Sequence, residues 1–285
     1  VSDTPGPVVL IDALSVLHRS FYALPPMSTA VGEPTGALYG VCRLLLMLER
    51  QHAPRAWAFA FDLPGPTERK VAFEGYKAHR QRAPLALIAQ IPVLWTLAET
   101  LGLPAHATPG WEADDVLATL AARIEGPRVV VSGDTDLLQL VRPGVKGVLL
   151  GQHGRKNVLH DEASFQARYG FAPALLPTYK AMVGDPSDAL PGIDGLGAAS
   201  ARALTAKHGD AAGILAALDA GTIGNRRLPP VLAANRDALV RWESMGRLRD
   251  DLPLTEPLAA ALDRDGLRRF AERWEMRSLL LDRGA

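Results

Sequence analysis

The chain has 285 residues, 48% apolar and 22% charged, with 31 basic and 31 acidic side chains and a formal net charge of zero. That is too apolar and too weakly charged for a disordered chain, and no uncharged run reaches the roughly 18 residues a membrane helix needs. The charge balance also argues against a nucleic-acid-binding protein, which is usually basic. The single cysteine, Cys42, excludes a disulfide framework and a thiolate metal site and fits a reducing cytoplasm. The first ten residues hold Asp3, Pro5, Gly6 and Pro7 and lack the basic start and apolar stretch of a secretory signal.

Val8-Val9-Leu10-Ile11 is a short apolar run ending at Asp12 and reads as a buried strand. Thr35 to Gln51 has helical spacing, with Leu38, Val41, Leu45 and Leu48 along one side. Ala56 to Phe61 is a second apolar run, ending at Asp62. Glu68 to Arg82 is charged and interleaved with aromatics, and Pro84 closes it. Leu85 to Leu101 reads as helical, with Pro92 kinking it or marking a boundary. Ala113 to Ile124 is an amphipathic helix, Val129-Val130-Val131 a third strand leading to Ser132-Gly133-Asp134, and Val145 to Leu150 a fourth strand. Strands alternating with helices predict an α/β core with a mostly parallel sheet. From about Asp161 onward the pattern is helical, which puts a boundary near residues 160 to 172.

Three of these strands run into an aspartate: Asp12, Asp62 and Asp134. Sites in open α/β sheets form at the carboxyl ends of parallel strands, so the three face one crevice. Asp136 follows closely, Glu112, Asp114 and Asp115 open the helix after Trp111, and Asp185 and Asp188 stand three apart. Any one of these alone reads as a cap or turn residue. Nine carboxylates converging without matching lysines would repel one another, and bound cations make such a cluster sensible. All-oxygen ligands point to a hard cation, Mg²⁺ or Mn²⁺. The histidines are scattered, with no zinc-ligand spacing. Two metals about 4 Å apart would support phosphodiester hydrolysis.

Trp111-Glu112-Ala113-Asp114-Asp115, Ser132-Gly133-Asp134-Thr135-Asp136 and Gly184-Asp185-Pro186-Ser187-Asp188-Ala189-Leu190-Pro191-Gly192 resemble the motifs of the bacterial 5′ nucleases. That family comprises the 5′–3′ exonuclease domain of DNA polymerase I and its stand-alone relatives. The resemblance extends to Asp12, Asp62, the Tyr76-Lys77-Ala78-His79-Arg80 segment and a final helix from Phe270 to Leu281. It implies a PIN-like α/β core over 1–170 with a helical arch at 68–100, and a helical DNA-binding region over 171–285. It also implies two or more divalent metals, with cleavage at 5′ flaps, nicks and junctions of single- and double-stranded DNA. By motif position, Asp12, Asp62, Glu112 and Asp114 match the first metal's surroundings, and Asp134, Asp136 and Asp188 the second's. Asp115 and Asp185 match further carboxylates of the site.

The same resemblance places Lys77 and Arg80 at the scissile phosphate and Arg19 near the site. Phe73 and Tyr76, between basic residues, read as stacking platforms for a single strand, against the simpler reading of a solvated helix. Gly192-Ile193-Asp194-Gly195-Leu196-Gly197 before a helix over 198–208 reads as a helix-hairpin-helix, in the family a helix-three-turn-helix, whose backbone N–H groups grip duplex phosphates. Ser200, Arg202 and Lys207 lie on that helix, and family members can hold a K⁺ ion in the loop. The sequence departs from the family pattern at Ala13-Leu14, Thr135, Ala189 and Ala199, and none of these removes a carboxylate.

The expected function is a metal-dependent 5′ nuclease acting in replication and repair, a monomer and not a membrane protein, with a DNA polymerase working alongside. A non-catalytic DNA-junction binder on the same fold and a PIN-type ribonuclease are the alternatives. The chain stops about where the family's nuclease domain stops, which suits a stand-alone nuclease or an excised domain. Assigning nine acids to one crevice leaves 22 acids against 31 bases, so the zero net charge reads as an acidic site inside a basic surface.

Overall fold

The computed structural model describes residues 5–151, 155–254 and 257–280, so Asp3 and Leu281 of the sequence reading lie outside the described residues. The first half runs β1 (Val8–Asp12), α1 (Ala13–Ala23), α2 (Gly36–His52), β2 (Ala56–Ala60), α3 (Glu68–Ala72), α4 (Leu85–Ile88), α5 (Gln90–Thr100), β3 (Ala105–His106), α6 (Ala113–Arg123), β4 (Arg128–Ser132), β5 (Val145–Leu149) and β6 (Val158–His160). The second half is helical: α7 (Glu162–Tyr169), α8 (Leu176–Val183), α9 (Ala198–His208), α10 (Ala211–Asp219), α11 (Leu228–Ala234), α12 (Arg236–Gly246), α13 (Arg264–Arg273) and α14 (Arg277–Leu280). No described helix is long and apolar enough to cross a membrane.

The six strands lie in the order β3-β2-β1-β4-β5-β6, parallel except for β6, which runs antiparallel to β5. β1 is paired on both sides and buried along its length. Val9 and Ile11 pack with α1, α2 and α5 on one face, while Val8 and Leu10 pack with α6 on the other. A strand covered on both faces needs apolar residues at every position, which is why it shows as an unbroken run. The strand order sets β2, β1 and β4 side by side, so their carboxyl ends share one edge.

Two strands escape the sequence reading. β3 has two residues, too few for a period to show, and β6 has three with its first two exposed. Pro92 does not kink a helix. The expected helix over 85–101 divides at Ala89, and Pro92 falls in the first turn of α5, where a missing N–H has no partner to lose. The buried Gln90 beside it caps an earlier helix: its Oε1 accepts the N–H groups of Ala37 (2.9 Å) and Leu38 (3.2 Å) at the start of α2. The segment expected as an arch, 68–100, is the short α3, a series of turns, the short α4, and then α5, which belongs to the core.

Helices α8 to α12 enclose a separate core around Met182, Leu204, Ile214, Leu232 and Trp242. After α12 the chain returns to the sheet. Leu252 donates its N–H to Thr119 Oγ1 of α6 at 3.2 Å, and Trp57 and Ala260 exchange backbone hydrogen bonds of 2.7 and 3.0 Å. Leu267 and Phe270 of α13 then enter the first core with α2 and α5. The expected second unit is thus helical through α12, and its last part belongs spatially to the first. The single helix expected from Phe270 is two helices, parted where Glu275 adopts a φ of 54°.

The loop between α8 and α9 depends on one close approach. Gly192 has a φ of +74°, and a Cβ there would lie 2.4 Å from the backbone nitrogen of Gly184 and 2.7 Å from the carbonyl carbon of Val183. Gly192→Ala is therefore expected to destabilise the protein by about 1–3 kcal/mol through backbone strain alone, read as a lower urea midpoint with α-helical content retained.

Candidate active site

β2, β1 and β4 end beside one another, and each leads an aspartate into an open cleft of about 830 Å³. Asp12 caps α1, accepting the Ser15 N–H at 3.0 Å, and its other carboxylate oxygen accepts the Ser132 hydroxyl at 2.6 Å. Asp62 accepts the Ala113 N–H at 2.9 Å, one of the free donors at the start of α6. Asp134 accepts the Asp136 N–H at 2.9 Å, and Asp114 enters the cleft from the first turn of α6. Among the described residues these four carboxylates make no ion pair; the basic groups of the site are bound to others. Burial, with the charges of Asp62 and Asp134 adding to it, pushes Asp12 up to about 7 despite the hydrogen bonds from Ser132 and Ser15. Burial and the charges of Asp134 and Asp12 hold Asp114 well above the usual carboxylate range, and burial likewise raises Asp62, with Glu112 adding to it.

The other five expected carboxylates are paired. Glu112 lines the cleft and accepts Lys77 Nζ at 2.7 Å, the Tyr76 hydroxyl at 2.8 Å and Arg69 Nη1 at 3.3 Å. Burial works against its ionisation, but Lys77 and Arg69 outweigh it and bring its pKa below the ordinary value. Asp188 accepts Arg80 Nη2 at 3.2 Å and the Tyr76 hydroxyl at 3.1 Å, and burial still leaves it raised. Lys180 of α8 binds both Asp136 and Asp185, the latter at 2.6 Å, and with Ser187 overcomes burial to hold Asp185 low. Asp115 is fully buried and gripped by both Arg69 Nη groups at 2.5 and 2.7 Å.

Residues 7–170 match the family described as 5′-3′ exonuclease, N-terminal resolvase-like domain, and residues 171–267 match 5′-3′ exonuclease, C-terminal SAM fold. The chain belongs to the 5′-3′ exonuclease family. It is 38% identical over 213 residues to the 5′-3′ exonuclease of Aquifex aeolicus, covering 72% of this chain and 71% of that one. It is 37% identical over 284 residues to the thermostable DNA polymerase I of Thermus thermophilus, covering 98% of this chain but 33% of the polymerase. The chain therefore spans about a third of the polymerase relatives' length. In fold it is similar to the T5 5′-exonuclease solved with divalent metal ions (zinc), with a TM-score of 0.69 and 18% identity over 94% of this chain and 97% of that one. It is also similar to the catalytic core of Rad2 solved with a DNA substrate, with a TM-score of 0.57 and 16% identity over 95% and 88%.

In this family member the structure divides the nine expected ligands into residues that line the cleft and residues that do not. Asp115 does not line the cleft: its charge is satisfied by Arg69, and its Oδ1 also accepts the Arg249 N–H at 2.9 Å. The absence of matching lysines holds for four acids and fails for five, because Arg69, Lys77, Arg80 and Lys180 neutralise the rest. Asp136, Asp185 and Asp188 are buried and do not line the cleft, although their neighbours Thr135 and Ser187 do.

Lys77, Arg80 and Arg19 all line the cleft. Lys77 takes a left-handed φ of 52°, its N–H bound to the Asp188 carbonyl at 3.0 Å, and Arg19 Nε donates to the Gly151 carbonyl. The two aromatics expected to stack on DNA are not free to do so. Tyr76 is buried with its hydroxyl on Glu112 and Asp188, and the half-buried Phe73 packs its ring 5.1 Å from that of Trp242, with Arg241 over its face. Gly192, Gly195, Gly197, Ser200, Arg202 and Lys207 form a group apart from the cleft, with Gly197 capping α9 and Arg202 and Lys207 exposed along it.

Sequence reasoning passed over Arg69, Ser15, Ser132 and Lys180. Ser15 follows Asp12 by three residues, the spacing of a helix cap, and Ser132 opens a quoted motif, so both carried a signal. Lys180 carried one only as a cation on the helix five residues before Asp185. Among the described residues no three acidic, histidine or cysteine side chains close on one point as a ready-made metal cage would. The donor set still fits a hard divalent cation, since four oxygen-only groups repel one another there and such ions bind through one or two carboxylates and water.

Two outcomes follow from this division of charge. Asp115→Ala leaves Arg69 buried and unpaired and is expected to lower unfolding free energy by about 3–5 kcal/mol in urea titration, whereas a cleft ligand would leave stability unchanged or improved. In EDTA the raised groups bind protons more tightly folded than unfolded, so their contribution to stability is fullest below about pH 4 and is lost as pH rises through about 7. Asp12→Asn removes one such group, and its melting temperature is expected to drop less than that of the parent between pH 5 and pH 8.

Proposed function

We propose that the chain hydrolyses DNA phosphodiesters at 5′ flaps, nicks and junctions in the presence of Mg²⁺ or Mn²⁺, as an exonuclease and flap endonuclease. The observation that carries this reading is the set of four unpaired carboxylates at the strand ends, faced across one cleft by Lys77 and Arg80. A DNA-binding surface with no cation requirement gains nothing from uncompensated acids facing a phosphate chain.

Asp12, Asp62, Asp114 and Asp134 would hold the divalent ion, with Glu112, Asp136, Asp185 and Asp188 free to join once their lysine and arginine partners turn to the phosphates. When bound, such an ion supplies Lewis-acid polarisation of the phosphate and a more acidic water. Lys77, partly buried and charged, sits between Glu112 and Asp188 and presents a fixed cation where negative charge develops at the scissile phosphate. Arg80 is more exposed and reaches the cleft from the same turn, suited to the neighbouring phosphate. The hairpin before α9 would hold duplex backbone at Gly195, Gly197, Ser200, Arg202 and Lys207, with K⁺ on its carbonyls. A polymerase working on the same nicks would be the natural partner of the activity.

The test compares a labelled 5′ flap, a nicked duplex and single-stranded RNA, with and without Mg²⁺. Expected is Mg²⁺-dependent cleavage of the flap that Asp134→Ala abolishes with folding intact, and that Lys77→Ala slows by about 10²–10³-fold in kcat while duplex affinity changes little. Flap binding without cleavage would favour the non-catalytic binder, and preference for RNA the PIN-type ribonuclease.

A further inference from the structure

The cleft has a second wall that the carboxylate chemistry does not use. Leu14, Ser15, His18, Arg19 and Tyr22 of α1 all line it, at positions that repeat with the helical turn and so form one continuous stripe. The stripe starts at Asp12, which caps the helix, and ends at Tyr22. Ten residues at 1.5 Å each put Tyr22 roughly 15 Å along the axis from the acidic end.

Tyr22 is 69% exposed, and it is the one aromatic among the exposed large apolar side chains of the described residues. Its ring is in contact on one side. Phe21 meets it edge-on, with ring centroids 5.2 Å apart and planes at 86°, and Phe21 itself packs against the main core. A ring backed by its neighbour and open to the cleft is a flat apolar platform in a cleft that Arg19 and Arg80 also line. Nucleobases offer a matching flat face whatever their sequence. Phe73 and Tyr76, the aromatics nearest the basic segment, are occupied within the protein, which leaves Tyr22 as the platform the cleft provides.

We propose that Tyr22 positions the substrate by stacking on a nucleobase of the strand that is cut, within about four nucleotides of the cut at 3.4 Å per stacked nucleotide. This rests on the reading of the cleft as a DNA-cleaving site. Tyr22 touches a base and no reacting atom, so its contribution is uniform binding, appearing in KM and leaving kcat unchanged.

The experiment uses the whole chain with Tyr22→Ala, Tyr22→Phe and Tyr22→Trp and a set of 5′-flap DNAs carrying one abasic position each. Expected for Tyr22→Ala is a roughly 10-fold fall in kcat/KM, carried by KM and restored by Phe or Trp. One abasic position should lower the parent's kcat/KM by a similar factor, and combining it with Tyr22→Ala should add nothing further. Independently of cleavage, 2-aminopurine at that position should be quenched on binding in EDTA by the parent and by Tyr22→Phe but not by Tyr22→Ala. A Tyr22→Ala protein equal to the parent in both readouts, or losses that add at every abasic position, would overturn the proposal. A parent that quenches 2-aminopurine through Tyr22 yet fails to cut would leave the stacking standing and remove the nuclease reading.

Discussion

Like charges held together without counter-charge are the constraint on which the rest of this structure turns. Parallel pairing of β2, β1 and β4 sets three carboxyl ends in a row, and any acid placed there faces the next one. Asp12, Asp62 and Asp134 occupy those ends, and α6 adds Asp114 from its first turn. The protein lessens the repulsion with dipoles in place of ions. Ser15 N–H, the Ser132 hydroxyl and the Ala113 N–H point at the carboxylates, which leaves their charge available to a cation that is not part of the chain. A lysine among them would have stabilised the fold and occupied the site.

The paired acids do different work. Arg69 leaves α3, meets Asp115 and Glu112 at the start of α6, and also donates to the carbonyls of Met245 (2.8 Å) and Arg247 (3.2 Å) at the end of α12. One guanidinium thereby joins α3, which leads into the turns bearing Lys77, the start of α6 with Glu112 and Asp114, and the end of α12. Buried ion pairs contribute little net stability compared with apolar packing, but they fix geometry because each alternative leaves a charge unpaired. This pair places the cations of the cleft relative to its acids.

What was legible in the sequence follows from how each feature is encoded. β1, β2 and β4 are covered on both faces, so their apolar runs are continuous and the aspartates after them stand out. β3 is too short to have a period, and its place is set by pairing with β2. The basic-aromatic stretch from 68 to 82 has the composition of a solvated, DNA-facing helix, yet Arg69 and Tyr76 point inward. A pattern of residue types cannot show that an arginine's partner is a buried aspartate 46 positions later, or that a tyrosine's hydroxyl bridges Glu112 and Asp188. The same blindness merged nine acids into one set, because the separation into bare and paired carboxylates depends on where four basic side chains fold.

That separation also changes the meaning of the zero net charge. Assigning nine acids to one crevice counts as uncompensated several that Arg69, Lys77, Arg80 and Lys180 already neutralise. The bare excess at the strand ends is four carboxylates, close to what two divalent cations would balance. The acidic site is therefore small and local, and at physiological ionic strength its field fades within about 8 Å. A phosphate chain approaching from the exposed Arg202 and Lys207 side feels mainly the nearby cations until it enters the cleft. There the unpaired acids face it, and metal ions bound among them would offset the repulsion. The charge pattern thus favours a strand that arrives with metal ions over one without, as a uniformly basic cleft would not.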